Sequence, residues 1–119
     1  MKTKKSVLVI DDEDDLCALI KLVLNKEGFI VECASTLAQA SQKLQGHPDI
    51  VLLDNNLPDG SGLDYLQLHP DPFSNSAVVF MTADPTDIIE SKAKQEGAVA
   101  FLAKPFTIHS IRQMISHVA

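Results

Sequence analysis

Five short apolar runs, rich in β-branched residues, constrain the fold of this chain more than any other feature. Most of them are continuously apolar and do not alternate with polar residues, which is typical of strands covered on both faces. They are SVLVI (6–10), FIVECA (29–34), DIVLLD (49–54), AVVFM (77–81) and AVAFL (98–102). The runs therefore predict a parallel sheet flanked by helices.

Helical patterns with recognisable start and stop signals lie between and after these runs. The first predicted helix covers 14–27 and ends before Gly28, and the second runs from a Thr36–Gln39 capping box to Gly46. A weaker third helix covers 60–69. The fourth has Asp84 as N-cap, Pro85 in its first position and Gly97 as its stop, and Thr107 caps the last. Regular alternation of strand and helix predicts one α/β domain over residues 1–119, with right-handed crossovers.

Composition excludes several classes of protein. The net charge of −6 argues against a general nucleic-acid surface, because phosphate backbones are bound mainly by Lys and Arg. We expect no signal peptide, because no adequate apolar stretch precedes Asp11, and the sequence has no apolar stretch of the ~20 residues that span a bilayer. We therefore expect a soluble, cytoplasmic domain that does not bind membranes, and Cys17 and Cys33 as reduced thiols in or near its core.

Polar residues follow four of the five predicted strands. Asp11 and Asp12 follow the first strand, Asp54 ends the third, Thr82 follows the fourth and Lys104 follows the fifth. Ligands of open parallel sheets bind beyond the carboxyl ends of the strands. The convergence of these groups on one edge predicts a functional site.

The residue types indicate phosphoryl chemistry at this edge. Neighbouring carboxylates stay ionised together only if a cation neutralises them, and Mg²⁺ suits a site of few carboxylates, water and a phosphoryl oxygen. Lys104 and Thr82 can stabilise the oxygens of a transferring phosphoryl group. One carboxylate can then act as the nucleophile and form an acyl phosphate.

Four motifs make the chain resemble the receiver domain of two-component response regulators over essentially its whole length. They are VLVIDDE, DIVLLDNNLPDGSGLDYL, VVFMTA and AFLAKPF. The resemblance implies a flavodoxin-like (βα)5 three-layer sandwich with a five-stranded parallel sheet of order 2-1-3-4-5. It also implies Mg²⁺-dependent phosphoryl transfer from a sensor histidine kinase or phosphotransfer protein.

Site roles follow from the same resemblance. Asp54 would be the phosphoacceptor, and Asp12 and Asp54 would ligate Mg²⁺ directly. Asp11 would act through water, and the backbone carbonyl of Asn56 would complete the protein ligands. Thr82 and Lys104 would each bond a phosphoryl oxygen.

The resemblance further implies a switch. Thr82 and the aromatic Phe101 would move together, and the Lys104–Pro105 bond would be cis. Asn56 and Asp84 stand where the family varies and tunes the loss of the phosphoryl group, so self-dephosphorylation at Asp54 is expected.

The surface of the fourth helix, fifth strand and fifth helix is expected to contact an output domain, a partner protein or, after phosphorylation, a second copy. Ile88 should lie near this surface, and Met114 likewise. We expect surface positions for the four histidines, none of which resembles a phosphodonor: His47, His69, His109 and His117. The last helix ends at Ala119 without a linker or output domain, which favours a receiver taken from a longer protein over a stand-alone regulator.

Three alternative functions compete with this interpretation. A Mg²⁺-dependent phosphohydrolase with an aspartyl nucleophile requires a second Asp as general acid two residues after the nucleophile, where this chain has Asn56. A flavin or nucleotide binder wants a third glycine where Tyr65 follows Gly60 and Gly62. A receiver-like module that binds partners without phosphorylation is not favoured, because every acceptor-site residue is present.

Overall fold

The computed structural model describes residues 5–84 and 86–119. The strands are β1 (Ser6–Ile10), β2 (Ile30–Ala34), β3 (Ile50–Asp54), β4 (Asn56–Leu57), β5 (Gly60–Ser61), β6 (Ala77–Thr82) and β7 (Ala98–Ala103). The α-helices are α1 (Asp14–Lys26), α2 (Leu37–Leu44), α3 (Gly62–Leu68), α4 (Asp87–Gln95) and α5 (Ile108–Val118), and a 3-10 turn covers Asp71–Phe73. Each predicted element is present.

The main sheet is parallel, with the order β2-β1-β3-β6-β7. This order is the predicted 2-1-3-4-5 once the two-residue strands β4 and β5, which pair only with each other, are set aside. Helices cover both faces. Val7 and Val9 of β1 point into a core shared with α1 and α5, whereas Leu8 and Ile10 point into a core shared with α2, α3 and α4. The three-layer sandwich is thus confirmed.

The start of α4 differs from the prediction. Its N-cap is Thr86, whose hydroxyl accepts a hydrogen bond from Ile89 N at 3.1 Å, and not Asp84. Asp84 instead donates its backbone N–H to Thr82 Oγ1 at 3.1 Å. Because Thr86 is extended (φ −110°, ψ 155°), the chain turns into the helix two residues later than predicted. The expected role of Pro85 lies outside the described residues.

The other predicted helix signals are largely in place. Thr36 caps α2 through Gln39 N, although the Gln39 side chain accepts from Ser35 rather than from Thr36. Thr107 and Ser110 form a capping box at the start of α5. Gly28 and Gly97 follow their helices with positive φ angles of 92° and 105°.

Two side-chain predictions were wrong. Cys17 and Cys33 form a disulfide, not two free thiols; α1 packs against β2 and places their Cα atoms 6.4 Å apart, within bonding range. Met114 is buried at 6% exposure because it lies on the same face of α5 as Ile111. Ile88 is 69% exposed, as predicted, and all four histidines are exposed. Among residues 5–84 and 86–119, no helix is long and apolar enough to cross a bilayer.

Candidate functional site

Three buried polar side chains mark the carboxyl edge of the sheet. Asp11 follows β1, Asp54 ends β3 and Thr82 ends β6, and each is at most 3% exposed. The other buried side chains of the strands are apolar. Asp12 lies beside them but is exposed. The prediction that the strand ends bring these groups together is borne out by their positions.

The carboxylates of Asp11, Asp12 and Asp54 form one cluster. Each offers an oxygen, and these oxygens all lie within 4.8 Å of one another. Asp11 Oδ1 accepts a hydrogen bond from Glu13 N at 2.9 Å. Asp11 Oδ2 is fully buried, and among the described residues its only polar contact is the ammonium of Lys104. The buried oxygen is therefore left with unused capacity to bind a cation or a water molecule.

Lys104 bridges the cluster from the end of β7. Its Nζ lies 2.7 Å from Asp11 Oδ2, 3.2 Å from Asp54 Oδ1 and 3.5 Å from Glu13 Oε2. Its backbone N–H donates to Thr82 O at 2.8 Å, and the Lys104–Pro105 peptide is cis, as expected. Burial works to lower the pKa of Lys104, but the contacts with Asp11 and Asp54 outweigh it and raise the pKa above its usual value. The raised pKa keeps the Lys104 side chain protonated and positively charged.

One lysine does not neutralise this edge. Burial, followed by repulsion from Asp11, raises the pKa of Asp54 to about 6, even though Lys104 and the Asn56 N–H act to lower it. The unpaired charge and the all-oxygen donor set are those that a hard divalent cation binds. Asp11, Asp12 and Asp54 therefore fit Mg²⁺ by charge and by ligand type.

The loop after Asp54 is built by residues whose roles sequence reasoning missed. Asn55 Oδ1 accepts hydrogen bonds from Ser61 Oγ at 2.8 Å and Leu63 N at 3.2 Å. Gly62 packs so closely on the end of β3 that an added Cβ would overlap the Asp54 carbonyl oxygen. The Asn, Ser and Gly residues of NNLPDGSG are typical of such turns, and this composition was the available signal.

Asp59 joins the same loop to another helix. Its carboxylate accepts hydrogen bonds from Leu37 N at 2.9 Å and Ala38 N at 3.1 Å, in the first turn of α2. The hydrogen bond from Leu37 N is the main reason that the pKa of Asp59 is lowered, and the bond from Ala38 N adds to it. Asn56, between these two anchors, pairs with Ser61 in the β4–β5 hairpin.

The predicted switch and tuning residues lie on β6 and β7 and in the segments that follow β3 and β6. Thr82 Oγ1 accepts from Asp84 N and makes no hydrogen bond to Asp54. Phe101 is partly buried against the core under α4, and lines a surface pocket with Asp87, Glu90 and Ser91. The Asp84 and Asn56 side chains are exposed.

Comparison with known proteins places the chain in a family. The family model described as the response regulator receiver domain matches residues 7–116. The sporulation initiation phosphotransferase F of Bacillus subtilis is 33% identical over 113 residues, which cover 93% of this chain and 90% of that protein. The response regulator protein PilR of Pseudomonas aeruginosa is 30% identical, but the match covers 96% of this chain and only 26% of PilR.

Solved structures agree with this grouping. The chemotaxis protein CheY4 of Vibrio cholerae superposes with a TM-score of 0.89 over 98% of this chain and 100% of that one, at 22% identity. The beryllofluoride-activated NtrC4 receiver domain dimer is 30% identical, with a TM-score of 0.87 over 95% of this chain and 94% of that one.

The chain belongs to the response regulator receiver domain family, and its function is that of a receiver in two-component signalling. Receivers of this family accept phosphoryl groups, generally bind a divalent metal and interact with histidine kinases or phosphotransfer proteins and with output domains.

Proposed function

We propose that Asp54 of this chain accepts a phosphoryl group from a sensor histidine kinase or phosphotransfer protein, in a Mg²⁺-dependent reaction. One observation carries the proposal. Asp54 is a buried carboxylate at a strand end, with two further carboxylates and the Lys104 ammonium gathered around it. A carboxylate with a purely structural role would gain nothing from repulsion by its neighbouring carboxylates. A phosphorylation site needs a nucleophilic carboxylate and also the negative charge that binds a metal ion.

The metal ligands in this proposal are the carboxylates of Asp12 and Asp54 and the backbone carbonyl of Asn56, with Asp11 acting through water. Bound Mg²⁺ supplies positive charge to the phosphoryl oxygens and to the clustered carboxylates. The exposed position of Asp12 suits a direct ligand that an ion reaches from solvent, and the buried Asp11 suits a ligand held in place by Glu13 N and Lys104.

Phosphoryl transfer would proceed by in-line displacement. One Asp54 carboxylate oxygen forms a bond to phosphorus while the phosphorus–nitrogen bond of the donor phosphohistidine breaks. The imidazole nitrogen keeps the bonding electron pair and takes up a proton. Lys104, 3.2 Å from Asp54 Oδ1, faces the oxygens on which negative charge is held.

The response to phosphorylation would begin at Thr82. Its hydroxyl oxygen is held by Asp84 N, so its own proton is free to be donated to a phosphoryl oxygen. Movement of Thr82 would be accompanied by rotation of Phe101, and would bias the α4–β7–α5 surface toward the form that an output domain, a partner protein or a second copy binds. Exposed Ile88, Val99 and Ile108 supply apolar area there.

Loss of the phosphoryl group completes the cycle. Water attacks the phosphorus of the acyl phosphate, the bond to the Asp54 oxygen breaks, and inorganic phosphate leaves. We propose that the exposed Asn56 and Asp84 side chains influence the approach of this water and thereby the lifetime of the signal.

The test uses Mg²⁺ and phosphoramidate as a small-molecule phosphodonor, with intact-mass analysis. We expect a gain of one phosphoryl group that is stable in acid and labile in base, depends on Mg²⁺ and is absent from Asp54→Asn. A mass gain that persists in Asp54→Asn, or no gain in the wild type, would refute the proposal. Release of many phosphates per chain from phosphate esters would instead favour a phosphohydrolase.

A further inference from the structure

The loop that carries Asn56 is a minimal structure. Its strands β4 and β5 have two residues each, and Pro58, Asp59 and Gly60 at the tip are exposed. An isolated two-stranded hairpin is marginally stable at best. The position of the Asn56 backbone must therefore be fixed by contacts between the hairpin and the rest of the domain.

The base of the hairpin is held by Asn55. Its side-chain oxygen accepts from Ser61 and Leu63, and its carbonyl accepts from Gly62 N at 3.0 Å. These bonds lie at one end only; beyond them, Leu57 is partly buried and packs against the core, but it makes no hydrogen bond that fixes the tip among the described residues.

The tip is held by Asp59. Its two bonds to Leu37 N and Ala38 N are, in the described part of the chain, the only hydrogen bonds from residues 57–60 to a segment outside the hairpin. Gly60 also lies close to α2, since a Cβ added there would lie 3.1 Å from Leu37 Cδ1. Because α2 is packed into the core through Leu37, Ala40 and Leu44, it is a fixed support.

We propose that Asp59 is a positioning residue for the phosphorylation site. It acts through the hairpin: Leu57 pairs with Gly60 and Asn56 with Ser61, so fixing the tip fixes the Asn56 backbone. Asn56 lies two residues after Asp54, and its carbonyl is the metal ligand of the proposed function, on which this inference rests. Without Asp59, the carbonyl samples positions that do not bind Mg²⁺.

The experiment compares four variants with the wild type. Asp59→Ala removes both bonds, and Asp59→Asn retains one acceptor oxygen. Thr36→Ala removes the bond from Gln39 N and weakens the first turn of α2 but leaves the Asp59 carboxylate in place. Asp64→Ala removes an equal charge nearby, from an exposed position in the first turn of α3.

We expect Asp59→Ala to raise the Mg²⁺ Kd, measured by isothermal titration calorimetry, about tenfold, at the low end of the effect of residues that orient metal ligands. Phosphorylation by phosphoramidate should slow at limiting Mg²⁺ and recover at saturating Mg²⁺. Asp59→Asn should fall between Asp59→Ala and the wild type. Asp64→Ala should keep a wild-type Kd, and Thr36→Ala should raise the Kd less than Asp59→Ala does, even where its melting temperature falls further.

An Asp59→Ala variant whose Mg²⁺ Kd equals that of the wild type would overturn the positioning role while leaving the proposed function intact. A wild-type protein that binds no Mg²⁺, or is not phosphorylated at Asp54, would overturn the proposed function and this inference together.

Discussion

Replacing Asp54 by Asn should stabilise the metal-free protein, and should do so only above the pH at which Asp54 ionises. The substitution keeps the shape of the side chain but removes a buried charge that is repelled by Asp11. Lys104 keeps its 2.7 Å contact with Asp11 in the variant, so the ammonium is not left unpaired.

The magnitude follows from the pKa. Folding raises the pKa of Asp54 from 3.8 to about 6, so the folded protein binds this proton more tightly than the unfolded chain does. The associated stability is present below pH 3.8 and is lost as the pH rises through about 6. A shift of about two units at about 1.36 kcal/mol each gives the variant an advantage of roughly 3 kcal/mol at pH 7.5, and little at pH 4.

The assay is urea denaturation of both proteins in EDTA from pH 4 to 7.5, followed by far-UV circular dichroism. Subtracting the two free energies of unfolding cancels the titration of all groups that the proteins share. Asp64→Asn, which removes an exposed carboxylate, is the matched control. At pH 7.5 its free energy of unfolding should differ from that of the wild type by less than that of Asp54→Asn does. The reasoning would be refuted if the difference in free energy of unfolding between Asp54→Asn and the wild type did not grow with pH. It would also be refuted if the wild type were more stable than Asp54→Asn at pH 7.5.

Three further predictions concern other parts of the domain. Mg²⁺ should raise the melting temperature of the wild type in a concentration-dependent way, and Asp12→Ala should remove most of this response in a thermal-shift titration. Because Asp12 is exposed, Asp12→Ala should change the stability of the metal-free protein less than Asp54→Asn does. Gly62→Ala should destabilise the protein by about 1–3 kcal/mol or more in urea denaturation, since the new Cβ overlaps the Asp54 carbonyl oxygen, whereas Gly46→Ala, whose Cβ would lie 3.4 Å from Lys43 O, should be far milder. Thr107→Ala should cost about 1 kcal/mol by breaking the capping box of α5, and a loss measured below a few tenths would contradict it.

Residues at strand ends were the most predictable part of the site. Asp11, Asp54, Thr82 and Lys104 each follow a continuous apolar run, and the parallel sheet forces such ends to one edge. No knowledge of side-chain contacts is needed for this step, because the topology alone brings the residues together.

Features that depend on a choice between similar local signals were less predictable. Asp84 and Thr86 are both good N-caps, and only the path of the chain after β6 selects Thr86. The pairing of Cys17 with Cys33 depends on how α1 crosses β2, which their separation of 16 residues does not encode. The β4–β5 hairpin is too short to show periodicity, so Asn55 and Asp59 carried no visible role in the sequence.

The five helices are not attached to the sheet equally. Among its described residues, α4 buries only Ala93 fully, whereas α1 buries Cys17, Ile20, Val23 and Leu24. Ile89 of α4 is only partly buried against the same core as Ala93, so this helix has few interlocking side chains to disengage when it shifts. By contrast, β3, which carries Asp54, is buried along its whole length. If Asp54 is the nucleophile, as proposed, the phosphoryl group is added to a fully buried strand, whereas α4, which contacts β7, is the helix with the fewest fully buried side chains among the described residues. Displacement of α4 would then disturb less of the core than displacement of any other helix.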